Sequence, residues 1–282
     1  MEITIAEVLD SLPAQSLDTP LKESFLLGFD TETTGTRAGK DAIVSASLVL
    51  RNPALGFNGD STQDWIINPG IPMNPRASQV NGFTDDYLRE HGANQADSIA
   101  LIASSIIKAQ IRNIPLLAYN APFDVTMLNR DLQKLGQETL SGQLLVAVQT
   151  GDDSSEGSKS DSNSNSNSED EQEKNKKREL LIVDPLVIDR ALSHRSGKRT
   201  LTDTTYYYGV QPHGSFHDAT ADTIAAVDLI APISEAYPQA GDLPVGQLMD
   251  WQRRAHQAWK KQFNDYLLSR GRKPVTDSWF PR

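Results

Sequence analysis

The chain has 282 residues with a net charge of −10, and 38% of its residues are hydrophobic, a length and composition that fit one folded domain with appendages. It contains no cysteine, which excludes disulfides, thiolate zinc sites and a cysteine nucleophile, so any metal must be held by oxygen or imidazole ligands. No run approaches the ~20 apolar residues of a membrane helix and the N-terminus is acidic, so we expect a soluble, cytoplasmic protein with no membrane partner.

The first half of the chain predicts strands followed by alternating helices and strands. Residues 1–22 show little periodicity beyond one short helical pattern of Ile5, Val8, Leu9 and Leu12, and we interpret them as a loosely attached N-terminal arm. Apolar runs predict strands at 25–29, 42–50, 64–68 and 115–119. Helical spacing and capping signals predict helices over 94–112 and from Pro122 to about residue 135.

The second half begins with a biased segment. Residues 151–179 are acidic and rich in serine and asparagine, so we expect a disordered insertion that cannot bury enough apolar surface to fold. A strand at 180–184, short helices at 186–192 and 201–208, and a long helix over 218–237 are predicted after it. The order of elements indicates an α/β fold with a mixed sheet, in one domain over 23–237.

Two acidic residues follow the first predicted strand. Asp30 and Glu32 are two apart in an extended chain, so their carboxylates face the same way and repel unless a cation lies between them. The turn residues Thr33, Thr34 and Gly35 would let backbone amides approach a ligand there. An isolated pair of this kind is more often a solvated surface turn, so the context decides.

Three further residues supply that context. Asp124 lies at a strand-to-helix junction, where α/β folds place ligand sites, although an acid taken alone at this position is more often a helix N-terminal residue that favours the dipole. Asp222 falls on a helix face with Ala226, where a carboxylate needs a partner or a metal. His217 is at the entry of that helix, and a single histidine is usually structural.

These segments together resemble a known family. Asp30-x-Glu32, Asn120-x-x-x-Asp124 and His217-x-x-x-x-Asp222 are similar to the three motifs of the DEDDh, or DnaQ-like, 3′-5′ exonucleases, which include the proofreading epsilon subunit of bacterial DNA polymerase III. The resemblance runs from about residue 25 to 230. It implies a ribonuclease H-like mixed sheet flanked by helices and an exonuclease domain over 23–237.

The resemblance also implies a set of site residues. Asp30, Glu32, Asp124 and Asp222 would hold two Mg²⁺ or Mn²⁺ ions, which suit hard oxygen ligands, and His217 would accept the proton of the attacking water. Thr36 replaces a larger apolar residue of many members, so stacking on the terminal base is expected from aromatic side chains instead. The expected substrate-binding residues are Thr31, Thr33, Thr34, Gly35, Phe83, Asn120 and Phe123.

Residues 238–282 are expected to form a basic and aromatic helical extension. Trp251, Trp259, Phe263 and Tyr266 recur at helical spacing, which favours packing against the nuclease domain; a surface for single strands and a partner-binding helix are the alternatives.

The favoured substrate is the 3′ end of single-stranded or frayed DNA in proofreading or repair, with a DNA polymerase subunit as a candidate partner. RNA as substrate and a non-catalytic nucleic-acid-binding module are the alternatives.

Overall fold

A computed structural model describes residues 3–153, 179–214 and 218–280, and its centre is a mixed six-stranded sheet. The strands are β1 Leu26–Thr33, β2 Ile43–Arg51, β3 Ser61–Asn68, β4 Ala93–Asn94, β5 Leu116–Leu117 and β6 Ile182–Val183. Their order is β4-β3-β2-β1-β5-β6. The first three strands form an antiparallel meander, β5 is parallel to β1, and β6 is parallel to β5. The expected α/β architecture is confirmed.

Helices flank the sheet on both faces. In chain order they are α1 Ile5–Ser11, α2 Pro75–Asn81, α3 Asp85–His91, α4 Gln95–Ile111, α5 Pro122–Lys134, α6 Leu140–Asp153, α7 Pro185–Leu192, α8 Leu201–Tyr208, α9 Ala219–Asp228, α10 Ile230–Ala236, α11 Pro238–Gly241 and α12 Leu248–Ser269. The predicted cap of α4 is present, because the Asn94 side chain accepts a hydrogen bond from the Asp97 amide. Within the described parts of the chain, no helix is both long and apolar enough to cross a bilayer.

Successive residues of β1 divide the core into two clusters. Leu27 and Phe29 are buried in the cluster that includes α1, α4 and α5, whereas Leu26 belongs to the cluster that includes α9 and α10. Side chains alternate between the faces of a strand, so Gly28 and Asp30 share the Leu26 side. The two faces of β1 therefore bring different helices to the two sides of its carboxyl end.

The expectation of a loosely attached N-terminal segment is wrong for its helix. Ile5 and Leu9 are 1% and 0% exposed and belong to the main core cluster. Thr4 and Glu7 form a capping box that fixes the start of α1. The short helical pattern of the sequence is present, but a helix this short does not reveal from its sequence alone that it packs into the core.

The predicted long helix over 218–237 is two helices. It breaks at Leu229, between α9 and α10. Pro232 is the physical reason, because it has no amide to donate to the Asp228 carbonyl and its ring clashes with that turn. Helix α9, before the break, packs across β1 and β2.

The C-terminal helix α12 covers the edge of the sheet at β6. Gln252 on α12 accepts a hydrogen bond from the Asp184 amide and donates one to the Ile182 carbonyl, at 2.8 and 2.7 Å. Helix α12 also packs along α7. The insertion predicted to be disordered lies outside the described residues except at its ends, where residues 151–153 complete α6 and Glu179 pairs with Arg253.

Candidate active site

The carboxyl end of β1 presents two carboxylates on one side of the sheet. Asp30 and Glu32 are both partly buried, and they lie on the same face of the strand as Gly28. The register with β2 is regular through Glu32 and shifts just after it. The strand geometry predicted from the sequence therefore extends through both acids.

Helix α9 brings a third carboxylate to this face. Ligand oxygens of Asp30, Glu32 and Asp222 lie within 4.8 Å of one another. The helix can approach this closely because β1 has a glycine under it: a Cβ on Gly28 would lie 2.6 Å from Val227 Cγ2 and 2.7 Å from Thr223 Cγ2. The spatial convergence on which the sequence interpretation depends is present for these three acids.

The electrostatics of the three acids favour a bound cation. Burial raises the pKa of Asp30 well above its usual value, and the neighbouring charges of Asp124, Asp222 and Glu32 raise it further. Burial raises the pKa of Glu32 to about 7, partly offset by a hydrogen bond from Asn81. Carboxylates that resist ionisation in the absence of a cation gain most from one that compensates their charge.

Asp124 reaches the strand end from the opposite face of the sheet. It lies in the first turn of α5, and its Oδ1 accepts hydrogen bonds from the Thr31 amide and hydroxyl at 3.1 and 2.7 Å. Burial raises its pKa to about 7, while the Thr31 bonds lower it. Asp124 is thus outside the group of three, but close enough for its charge to raise the pKa of Asp30.

The turn after β1 is held by its own side chains. The Thr33 hydroxyl donates to the Gly35 carbonyl at 2.7 Å, and the Thr34 hydroxyl accepts from the Ala42 amide at 3.0 Å. A Cβ on Gly35 would lie 2.7 Å from an Asp41 carboxylate oxygen, so close packing explains this glycine. These contacts give Thr33 and Thr34 a structural role in addition to the substrate contacts expected of them.

A cavity of about 500 Å³ opens beside Glu32. The expected substrate residues Thr31, Thr33, Gly35 and Phe123 line it, whereas Phe83 instead contacts the Tyr87 ring, with centroids 5.9 Å apart. The residues lining the cavity are Thr31, Glu32, Thr33, Gly35, Thr36, Arg37, Asp41, Asn74, Arg76, Ala77, Val80, Asn81 and Phe123.

Among the cavity residues to which the sequence interpretation gave no role are two polar residues of α2, Asn81 and Arg76. Asn81 donates to the Thr33 carbonyl at 3.2 Å and hydrogen-bonds to Glu32. Arg76 is exposed on the same helix. The sequence Asn74-Pro75 does carry a signal for α2, since an asparagine cap followed by proline is typical of a helix start.

A buried carboxylate holds the entry to α5. Asp184 is 1% exposed and accepts hydrogen bonds from the amides of Asn120 and Ala121 at 3.0 and 3.1 Å. It also accepts from the amide of Leu186 and from Nε1 of Trp279, both at 3.0 Å. Asn120 has a positive φ of 65°, which asparagine tolerates, and this bend precedes the helix that carries Asp124.

His217 lies outside the described residues, which resume at Asp218. The Asp218 side chain caps α9 by accepting from the amides of Thr220 and Ala221. On the other side of the gap, His213 is hydrogen-bonded to Asp228 at 3.1 Å and stacks on the Phe57 ring. The contacts of His213 are therefore of a structural kind.

The family of the chain follows from a sequence model. The RNase_T model, described as an exonuclease, matches residues 27–230, a range that contains β1, α5 and α9 with all four acids. The chain therefore belongs to this exonuclease family, and the resemblance to DnaQ-like exonucleases is confirmed. Dependence on divalent metal ions is a property of the family.

Individual relatives are larger proteins. The chain is 32% identical over 149 residues to a DNA polymerase III subunit epsilon-like protein of Rhodobacter capsulatus, covering 51% of this chain and 20% of the relative. It is 26% identical over 151 residues to DNA polymerase III PolC-type of Streptococcus suis, covering 53% and 10%. The chain thus spans a fifth or less of the length of these relatives.

A solved structure shares the fold. A zinc-bound complex of E. coli exonuclease I with single-stranded DNA superposes with a TM-score of 0.56 at 18% sequence identity, covering 78% of this chain and 42% of that one. At this identity the similarity shows the fold alone. The ribonuclease H-like core and the family assignment therefore agree.

Proposed function

We propose that this chain is a 3′-5′ exonuclease that hydrolyses phosphodiester bonds at the 3′ end of single-stranded or frayed DNA. The convergence of Asp30, Glu32 and Asp222 within 4.8 Å carries the proposal. The epsilon-like and PolC-type names of its relatives support a role in proofreading or repair and a DNA polymerase subunit as a candidate partner. Residues 23–237 are proposed as the exonuclease domain and 238–282 as its extension.

The donor set fits hard divalent cations. Carboxylate oxygens suit Mg²⁺ or Mn²⁺. The raised pKa values of Asp30 and Glu32 support this assignment, because a bound cation would compensate the charges of the ionised carboxylates. Asp30, Glu32 and Asp222 would hold one ion, and Asp124 would help Asp30 to hold a second. Bound metal would supply a Lewis acid for the phosphoryl oxygens and a more acidic water.

Side chains around the carboxylates are proposed to orient the metal ligands, accept a proton and contact the substrate. Thr31 fixes the Asp124 carboxylate through two hydrogen bonds, and Asn81 fixes Glu32, so the ligands are oriented before substrate binds. His217 is proposed to accept the proton of the attacking water, because an imidazole titrates near neutral pH. Thr31, Thr33, Gly35 and Phe123 are proposed to contact the terminal nucleotide from the cavity beside Glu32. Thr34, Phe83 and Asn120 remain proposed substrate contacts from the surrounding loops.

A degradation assay tests the activity. Single strands of DNA and RNA, labelled at either the 3′ or the 5′ end, are incubated with the protein and Mg²⁺, Mn²⁺ or a chelator. We expect stepwise shortening from the 3′ end, faster on DNA and abolished by the chelator. Faster loss from RNA would reassign the substrate, and equal activity in chelator would refute the metal site.

Matched variants test the residues. Asp30→Asn should lower kcat by more than about 100-fold, because a metal ligand contributes several kcal/mol to the transition state. Asp64→Asn is the control, since Asp64 is an exposed acid on β3 and belongs to neither the group of three nor the cavity. His217→Ala should lower kcat with little change in metal affinity. Equal activity of the His217 variant would remove this residue from the mechanism.

A further inference from the structure

A ladder of aromatic rings follows one side of α12. Trp259 and Phe263 are stacked with centroids 5.2 Å apart and planes 15° apart, and Phe263 and Tyr266 follow at 6.4 Å and 23°. Residues spaced by three and four share one side of a helix, which aligns the three rings. We call Trp259, Phe263 and Tyr266 the aromatic ladder.

The ladder lies beside the buried face of α12 instead of on it. The buried residues of this helix are Leu248, Met249, Gln252, His256 and Leu267. Trp259 and Phe263 are only half-buried, and Tyr266 is 52% exposed. Of the aromatic residues expected to pack against the domain, Trp251 does so, whereas the ladder lies on the outward side of the helix.

Positive charge brackets the ladder at both ends. The guanidinium of Arg190 lies 3.9 Å from the centroid of the Trp259 ring, and that of Arg270 lies 5.7 Å from the Tyr266 ring. A groove of about 280 Å³ runs next to Trp259 and is lined in part by Arg190, exposed Arg254 and Gln262. Residues 248–280 hold seven lysines and arginines against three aspartates, in a chain whose net charge is −10.

We propose that the aromatic ladder and its flanking arginines bind single-stranded nucleic acid as it extends away from the active site. The ring edges of the ladder and the exposed Tyr266 offer aromatic contacts to unpaired bases, and the exposed Arg254 and Arg270 offer contacts to the phosphates. The concentration of positive charge in an acidic protein favours a polyanion over an apolar protein partner. This inference rests on the proposed exonuclease function, because it assigns a second contact region to the same substrate.

The ladder is linked to the active site through α7. Arg190 is on this helix, which begins directly after Asp184, and Asp184 holds the amides of Asn120 and Ala121 at the start of α5. Helix α7 therefore contacts the ladder through Arg190 and the start of α5 through Asp184. A strand of several nucleotides would contact both regions, whereas a dinucleotide would occupy only the site.

Binding is measured with the full chain, a 5′-labelled oligothymidylate of about 20 nucleotides and a chelator, so that hydrolysis does not interfere. Tyr266→Ala is expected to weaken binding by at least about fivefold, since one stacking contact contributes that much or more. Arg254→Gln is expected to reduce the slope of log affinity against log salt by about 0.7, the value for one phosphate contact on a single strand.

Two control variants match these changes. Tyr206→Ala removes a tyrosine that is 87% exposed on α8, and Arg89→Gln removes an exposed arginine on α3. Neither belongs to the ladder or its groove, so both should bind like the wild type. Thermal melts monitored by circular dichroism show that each variant folds.

A second measurement separates this proposal from the proposed function. With metal present, the Tyr266 and Arg254 variants should show a raised KM on the 20-mer and unchanged turnover of a dinucleotide. If the wild type hydrolyses neither substrate, the exonuclease proposal fails while the binding data still report on the ladder. Unchanged binding in both variants would overturn the ladder proposal and leave the surface to a protein partner.

Discussion

At the scale of single residues, the carboxylates of the site were predictable and their supports were not. Asp30 and Glu32 were recognised because strand periodicity places residues two apart on one face. Asn81 and Arg76 were missed because their helix has no buried residue, so its sequence gives no periodic apolar signal. The helix is defined instead by its Asn74 cap and by the turn at Gly82. His217 remains a prediction, since it lies outside the described residues.

The raised pKa of Glu32 predicts a characteristic pH dependence of stability in the metal-free protein. Its pKa of about 7 in the fold lies above its ordinary value of 4.5, so the folded state binds more protons between these values. The contribution of Glu32 to stability is therefore present below pH 4.5 and is lost as the pH rises through about 7. Glu32→Gln should flatten this loss. Urea unfolding in chelator from pH 5 to 8 measures it, and identical pH profiles would contradict the assignment.

Arg76 predicts a substrate contact from the rim of the cavity. The neighbouring Arg37 is engaged with Asp41 at 3.4 Å, whereas the Arg76 side chain has no hydrogen bond or ion pair with the residues that the structure describes. A guanidinium beside a nuclease site suits a phosphate. Arg76→Gln should raise KM about tenfold with kcat nearly unchanged, and a fall confined to kcat would argue against a binding role.

At the scale of elements, close approach between β1 and α9 is what completes the site. Strands β1 to β3 and helices α4 and α5 could be predicted from apolar pattern and caps. The break at Leu229 was missed because apolar spacing continues across Pro232, and the proline outweighs that spacing. The crossing of α9 over Gly28 depends on tertiary packing that no local pattern encodes.

Gly28→Ala should damage the site from a distance. The new methyl would meet Val227 and Thr223 at 2.6–2.7 Å, so α9 must move and carry Asp222 away from Asp30. We expect a loss of about 1–3 kcal/mol in unfolding free energy together with weaker Mn²⁺ binding. Val227→Ala in the same chain makes room and should restore part of both. Normal Mn²⁺ affinity in Gly28→Ala would show that metal binding does not depend on the close packing of α9 against β1.

The contact between Trp279 and Asp184 predicts that the C-terminal segment stabilises the domain. Trp279→Phe removes the indole donor to a buried carboxylate, at an expected cost of about 1.5–3 kcal/mol in denaturant unfolding. The matched control is Trp251→Phe, since Trp251 is partly buried and its indole makes no hydrogen bond to the residues that the structure describes. Equal effects of the two substitutions would attribute the loss to ring packing alone.

At the scale of the whole molecule, the site joins the two halves of the chain. The mixed sheet was predictable because strands come first and alternate with helices later. The placement of α12 over the sheet edge could not be predicted, because an amphipathic aromatic pattern does not indicate which surface of the domain the helix packs against. The family match over residues 27–230 spans both halves, in agreement with one integrated exonuclease unit.

Metal binding should therefore stabilise the entire fold. A ligand that binds only the folded state at 100 times its dissociation constant adds about 2.7 kcal/mol, which for a chain of this size raises Tm by about 5–10 °C. Scanning calorimetry with and without Mn²⁺ measures the shift. Asp30→Asn should abolish it, and Asp64→Asn should preserve it. A full shift in the Asp30 variant would place the ion elsewhere.

The parallel strands added beside an antiparallel meander have a consequence for the newly synthesised protein. A ribosome-bound chain that has emerged only through β3 already displays Asp30 and Glu32, but α9, the helix that completes the cluster, follows β4, β5 and β6 in the chain. An incomplete chain therefore lacks Asp222, so this cluster of carboxylates is not complete until synthesis has passed α9.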